Sequence, residues 1–121
     1  MTLQDVVEQY GAAWNEEEAG ARLKLLDGAW ADGGVYCDPT ANVEGRDALS
    51  AHIGGFRSLM AGARLELTSG IDEHNGFLRF AWKVIGADGN DVMEGVDFGE
   101  LGPDGRITRI VGFFGPPPAQ S

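Results

Sequence analysis

The stretch FLRFAWKVIGADGNDVMEGVDFGELGPDGRITRIVGFF, Phe77 to Phe114, decides the fold, because it reads as three strands joined by two tight turns. Phe77 to Ile85 places Leu78, Phe80, Trp82 and Val84 on one face and Arg79 and Lys83 on the other, the two-residue period of a half-buried strand. Asp88-Gly89-Asn90 turns the chain into a strand from Val92 to Leu101, and Pro103-Asp104-Gly105 turns it again into one from Arg106 to Phe114. Connections this short make neighbouring strands antiparallel. Upstream, Ala63 to Ser69 alternates through Leu65 and Leu67 and extends the meander.

The N-terminal half has a different period. Thr2, with Asp5 three residues on, caps a helix in which Leu3, Val6, Val7, Tyr10 and Trp14 recur at helical spacing, so Tyr10 points inward. After Asn15-Glu16-Glu17-Glu18 a second short helix carries Ala19, Leu23, Leu26 and Trp30 and stops at Asp32-Gly33-Gly34. Val35 to Cys37 is a short strand closed by Asp38-Pro39, since a residue before proline is held extended. A third helix starts near Gly45-Arg46-Asp47 and puts Leu49, Ile53, Phe56 and Met60 on one stripe, with His52 inside it; Gly54 and Gly55 permit close packing there. Helices first and strands second predict an α+β domain, helices packed on one face of a curved antiparallel sheet, over residues 1–115, with 116–121 as a proline-rich tail.

At 121 residues the chain has room for a single core, so any active site shares that core. Nine Lys and Arg against 19 Asp and Glu give a net charge of -10, which repels phosphate backbones and anionic lipid and disfavours nucleic acid or membrane as partner. No signal-peptide pattern opens the sequence, and a cytoplasmic location is expected. Cys37 is the single cysteine, read as a small buried hydrophobe, and His52 and His74 lack ligand spacing, so no disulfide and no metal site are expected.

The chemistry concentrates on Tyr10, Asp38, Asp97 and His52. Strict alternation puts Met93, Gly95, Asp97, Gly99 and Leu101 on one strand face, so the side chains flanking Asp97 are missing, and Gly112 lies at similar depth in the next strand. The expectation is a hollow beside a carboxyl, walled by Phe80, Trp82, Ile110 and Phe114. A carboxyl buried there resists ionisation and can donate a hydrogen bond, with Tyr10 as a second donor, while Asp38, nearer solvent, stays ionised as a base. His52 is a candidate second base or ligand-orienting donor. Each has a plainer alternative: Asp97 as an edge residue, Asp38 as the start of an Asp-Pro turn, Tyr10 as core, and His52 as a buried imidazole. His74 falls at a hairpin turn in solvent, and Arg46 steadies the start of the third helix.

Gln9-Tyr10-Gly11-Ala12-Ala13-Trp14-Asn15, Ala31-Asp32-Gly33-Gly34-Val35-Tyr36-Cys37-Asp38-Pro39, Val43-Glu44-Gly45-Arg46 and Gly112-Phe113-Phe114-Gly115, in this order, resemble the nuclear-transport-factor-2-like superfamily and its SnoaL-like branch. The resemblance implies a cone of three helices on a curved antiparallel sheet with a pocket inside. Within it, the catalytic residues resemble those of ketosteroid isomerase: an oxyanion tyrosine on Tyr10, a general base on Asp38 and a protonated aspartate on Asp97. It departs where the supporting tyrosine falls near His52 or Ile53, and Trp14, Trp30 and Trp82 stand where smaller residues line that pocket. The resemblance implies cofactor-free proton transfer next to a carbonyl in a small apolar ligand, by an isomerase or an aldol-type cyclase, within a pocket shaped by Trp14, Tyr36, Phe56, Phe80, Trp82 and Phe114. It also implies a homodimer through the outer sheet face, where Phe77, Val96, Phe98, Val111 and Phe113 form an apolar patch. The competing expectation is a non-catalytic ligand-binding or interaction domain on the same scaffold. The limonene-type epoxide hydrolases, another branch that this fold resembles, need an arginine between two inward aspartates; of the candidates Arg79 and Arg109, strict alternation points Arg79 away from the hollow and leaves Arg109 open.

Overall fold

Thr2 opens the first helix with a reciprocal capping box: its hydroxyl accepts from the Asp5 backbone N–H at 3.1 Å, and the Asp5 carboxylate accepts from the Thr2 N–H at 3.0 Å. In the computed structural model, which describes residues 1–120, the three helices are α1 (Leu3–Trp14), α2 (Ala19–Ala29) and α3 (Arg46–Leu59). The apolar stripe of α1 buries Val6, Val7, Tyr10 and Ala13, and that of α3 buries Leu49 and Ile53. No helix among the described residues is long and apolar enough to cross a membrane.

The strands are β1 (Trp30–Asp38), β2 (Ala41–Glu44), β3 (Arg64–Leu67), β4 (Asp72–His74), β5 (Phe77–Ile85), β6 (Asp91–Leu101) and β7 (Ile107–Phe114). They form one sheet in the order β2-β1-β7-β6-β5-β3, with β4 also on β5. The β5-β6-β7 meander pairs antiparallel as its sequence predicts, but β1 runs parallel to β7. The sheet is therefore mixed, not antiparallel throughout. It remains open, and the fold is α+β.

Two expectations near β1 are corrected. Trp30 begins this strand, whereas its spacing suggested the second helix. Asp32-Gly33-Gly34 lies within the strand because Gly33, at φ +79°, supports a break in register between Trp30 and Val35 instead of a helix stop. Trp30, fully buried, then stacks on Tyr10 with ring centroids 5.5 Å apart.

Two buried arginines tie the helices together. Arg22 donates to the backbone carbonyls of Glu16, Glu17 and Ser50, and Arg57 to those of Trp14 and Ala63 and to the Glu17 carboxylate. A side-chain carbon on Gly54 would lie 3.1 Å from the Arg22 guanidinium, so the glycine lets α2 and α3 close on that charge. Arg46 donates to the Trp30 carbonyl at 2.8 Å and faces Asp27 at 3.4 Å, steadying the start of α3. On the sheet's far face Phe77, Phe98 and Phe113 are exposed, with Val96 and Val111 half-buried between them. Cys37 also pairs with Val111 on that face and is partly exposed, not buried.

Candidate active site

Three neighbouring strands put both inward aspartates on one row. Asp97 of β6 pairs with Gly112 of β7 on one side and Phe80 of β5 on the other, while Cys37 pairs with Val111, so the next step places Asp38 beside Gly112. A side-chain carbon on Gly112 would lie 2.9 Å from Asp97 Oδ1 and 3.6 Å from Asp38 Cβ. The missing side chain is what lets the two carboxyls share this space.

The other glycines of β6 act differently from the sequence expectation. A carbon on Gly95 would collide with the Trp82 ring at 2.4 Å, and one on Gly99 with Ile110 at 2.9 Å. Their space is filled by packed rings and methyls, so they do not leave the hollow. Instead Gly95 lets the Trp82 indole lie across the sheet, from where its Nε1–H donates to Asp97 Oδ1 at 2.9 Å.

A cavity of about 470 Å³ opens over this row, and Tyr10, Asp38, His52 and Asp97 all line it, as do Trp14, Tyr36, Phe56, Phe80, Trp82 and Phe114. Ile110 does not; it is fully buried against Gly99. Trp30 does not line it either, and packs behind Tyr10. The wall continues through Leu65, Val84 and Met93, which pair across β3, β5 and β6. From Phe80 to Val84 the floor runs about 13 Å at ~3.3 Å per residue. Polar groups gather at the Asp97 end and apolar ones at the other.

The two carboxyls sit in unlike surroundings. Asp97 is 6% exposed, and burial pushes its carboxyl up to about 7, against the opposing Trp82 bond. Asp38 is also desolvated, with its side chain only 4% exposed, so it is not the solvent-facing group that its place before Pro39 suggested. Burial raises its pKa, but hydrogen bonds outweigh burial and leave it below the ordinary value: Oδ2 accepts from the Tyr36 hydroxyl at 2.5 Å, and Oδ1 from both the N–H and hydroxyl of Thr40 at 2.7 Å. Asp38 thus also makes the turn that joins β1 to β2.

Burial, with the Asp97 charge next, raises the Tyr10 hydroxyl well above its usual range, so it stays protonated, and it has no hydrogen-bond partner among the described residues. Burial likewise raises Tyr36. His52 Nε2 lies 3.8 Å from Asp38 Oδ2, its ring between Trp14 and Tyr36 at centroid distances of 5.9 and 5.5 Å. Arg79 and Arg109 are exposed and no arginine lines the cavity. His74 is exposed on β4. No cluster of three metal-ligating side chains occurs among the described residues.

Three donors carried roles the sequence reading did not assign. Tyr36 and Trp82 were expected only as walls and Thr40 not at all. Tyr36 was within reach, because residues two apart on a strand share a face. The Trp82 bond was not, since it depends on the space at Gly95.

A family model of the SnoaL-like domain matches residues 7–110. Among solved structures, a protein of Agrobacterium tumefaciens, provisionally described as an isomerase of the SnoaL-like family, is 38% identical with a TM-score of 0.89, covering 96% of this chain and 100% of that one. A provisionally assigned polyketide cyclase of Sinorhizobium meliloti is 20% identical with a TM-score of 0.70, covering 93% and 99%. An NTF2-like protein of unknown function from Cytophaga hutchinsonii is 17% identical with a TM-score of 0.69, covering 96% and 92%. The latter two share the fold. A search of curated proteins returned no match.

Proposed function

Because this chain belongs to the SnoaL-like domain family, we propose that its cavity binds a small, uncharged, mostly apolar compound bearing a carbonyl and moves a proton next to that carbonyl without a cofactor. Asp38 Oδ2 takes the proton, and the Tyr10 hydroxyl and the protonated Asp97 carboxyl donate hydrogen bonds to the enolate oxygen that forms. The observation that carries this reading is the pair of aspartates on either side of Gly112, one held ionised by donors and the other pushed toward neutrality by burial. The unpartnered Tyr10 hydroxyl supports it, because a buried donor gains most from an acceptor brought by a ligand. The A. tumefaciens relative, an isomerase by provisional description, points to the same class. Whether the product is a shifted double bond or a closed ring depends on the substrate. The reading includes a homodimer through the outer sheet face.

One observation favours a second reading, a binding domain without catalysis. Three donors already occupy the Asp38 oxygens, which lowers their basicity. Titrating 2-naphthol separates the two, because a phenolate imitates the enolate and its fluorescence reports ionisation. Catalysis predicts that the bound naphthol ionises at lower pH than free naphthol, and that Tyr10→Phe and Asp97→Leu each remove that shift. Naphthol that binds un-ionised, equally in all three proteins, would favour the binding domain.

A further inference from the structure

We propose that His52 is the proton exit of this site, carrying protons between Asp38 in the cavity and solvent at the cavity mouth. The inference rests on the reading of Asp38 as the base, and adds the group that resets it.

Five titratable side chains line the cavity: Tyr10, Tyr36, Asp38, His52 and Asp97. A proton taken from carbon onto Asp38 must return to the ligand or leave, and the Asp38 side chain is 4% exposed. Its Oδ1 is held by Thr40, whose hydroxyl donates inward and whose N–H cannot relay a proton at neutral pH. Oδ2 faces the Tyr36 hydroxyl and His52 Nε2. Tyr36 is buried and held protonated, so it offers no way out. His52 is different: its side chain is 23% exposed, and it shares one face of α3 with Gly55 and Leu59, which also line the cavity and are exposed. Open space surrounds the Gly55 position, where an added carbon would meet nothing within 4 Å. The mouth therefore runs between this face of α3 and exposed Thr40, and His52 lies on its α3 side beside Asp38.

The 3.8 Å separation is longer than a hydrogen bond, and a small ring rotation or one bridging water closes it. The C–H electron pair stays on the ligand as the enolate while the proton goes to Asp38 Oδ2. That proton passes to His52 Nε2, and the imidazolium releases its Nδ1 proton to water. Trp14 and Tyr36 fix the ring plane without supplying charge. Other charged groups on the elements packed against α3 are committed elsewhere: Arg22 of α2 to Ser50 and the Glu16 and Glu17 carbonyls, and Glu44 of β2 to solvent. Tyr10 of α1 and Asp97 of β6 complete the titratable groups across the cavity.

The test follows exchange of the C1 protons of 2-tetralone in D2O by NMR, in wild type, His52→Gln and Asp38→Asn. The relay predicts exchange catalysed by wild type, slowed about tenfold or more in His52→Gln, and restored in that variant by added imidazole. It also predicts that Asp38→Asn loses exchange and that added imidazole does not restore it. Full exchange in His52→Gln overturns the relay and leaves Asp38 as base intact. A slowed His52→Gln variant that imidazole does not restore also overturns the relay. Wild type that leaves the proton in place overturns the relay, and exchange retained by Asp38→Asn overturns the base reading and with it the relay.

Discussion

Asp97 and Tyr10 are each costly to bury, and each cost makes a measurable statement. The Asp97 carboxyl titrates near about 7 in the folded chain against 3.8 for an ordinary aspartate, so the folded state holds that proton more tightly than the unfolded state. The contribution to stability is fully present below about pH 4 and is lost as pH rises through about 7, a change on the order of 4 kcal/mol. Asp97→Asn keeps a neutral acceptor for the Trp82 N–H at every pH. Urea unfolding should therefore find the variant more stable than wild type at pH 8, with the gap closing toward pH 4; a gap that ignores pH would refute the burial argument. Tyr10 differs because its unsatisfied hydroxyl weakens the empty protein. Tyr10→Phe should leave the melting temperature unchanged or raised, by an amount equivalent to up to about 1 kcal/mol, while 2-naphthol binding weakens roughly tenfold, or about 1.4 kcal/mol. Loss of stability and binding together would mean that the hydroxyl serves the fold.

At the scale of elements, the glycines carry the sharpest contrast. Gly112 sits where a methyl would meet Asp97 Oδ1 at 2.9 Å, with the sheet fixed on both sides, so Gly112→Ala must displace that carboxyl. Gly55 lies on a helix with empty space around it, so Gly55→Ala only exchanges a poor helix former for a good one. The expected outcomes are a tenfold or greater loss of naphthol binding in the first, and a gain of ~0.5–1 kcal/mol in urea unfolding in the second. Binding retained by Gly112→Ala would mean that Asp97 has slack to move. The same elements mark where the sequence could be read. Period 3.6 in α1 and α3 and period 2 in β5 to β7 are local, and they are enough to set Phe80 beside a hollow at Asp97 with Gly112 at similar depth, while the register that joins the three in one row is not local. The extent of β1 was hidden because Asp32-Gly33-Gly34 looks like a helix stop, and only its long-range pairing with β7 holds it extended. That pairing brings Asp38 beside Asp97, and no local period encodes it. The buried Arg22 and Arg57 were equally illegible, since their partners are mostly backbone carbonyls.

At the scale of the whole molecule, the outer face of the sheet sets the last expectation. Val96 pairs with Phe113 and Phe98 with Val111, so four apolar side chains make one patch, with the Phe98 and Phe113 rings 6.0 Å apart and Phe113 57% exposed. A patch of aromatic and branched side chains this exposed is unusual on a lone domain and suits a second copy of the chain. Net charge opposes that association, because each copy carries -10. Arg79, Lys83 and Arg109 stand on the same outward face among Glu94 and Glu100, so the rim offers both signs while the remaining acidic surface repels. Hydrophobic contact at the centre against long-range repulsion predicts a dimer that tightens as salt is raised, whereas an association built on rim ion pairs would loosen. Phe113→Glu places a new charge in the centre of the patch and should give monomers in sedimentation equilibrium, with the cavity on the opposite face still binding 2-naphthol. A wild-type chain that sediments as a monomer at every salt concentration would refute the dimer. A Phe113→Glu variant that loses naphthol binding as well would show that assembly and the cavity are coupled through β6 and β7.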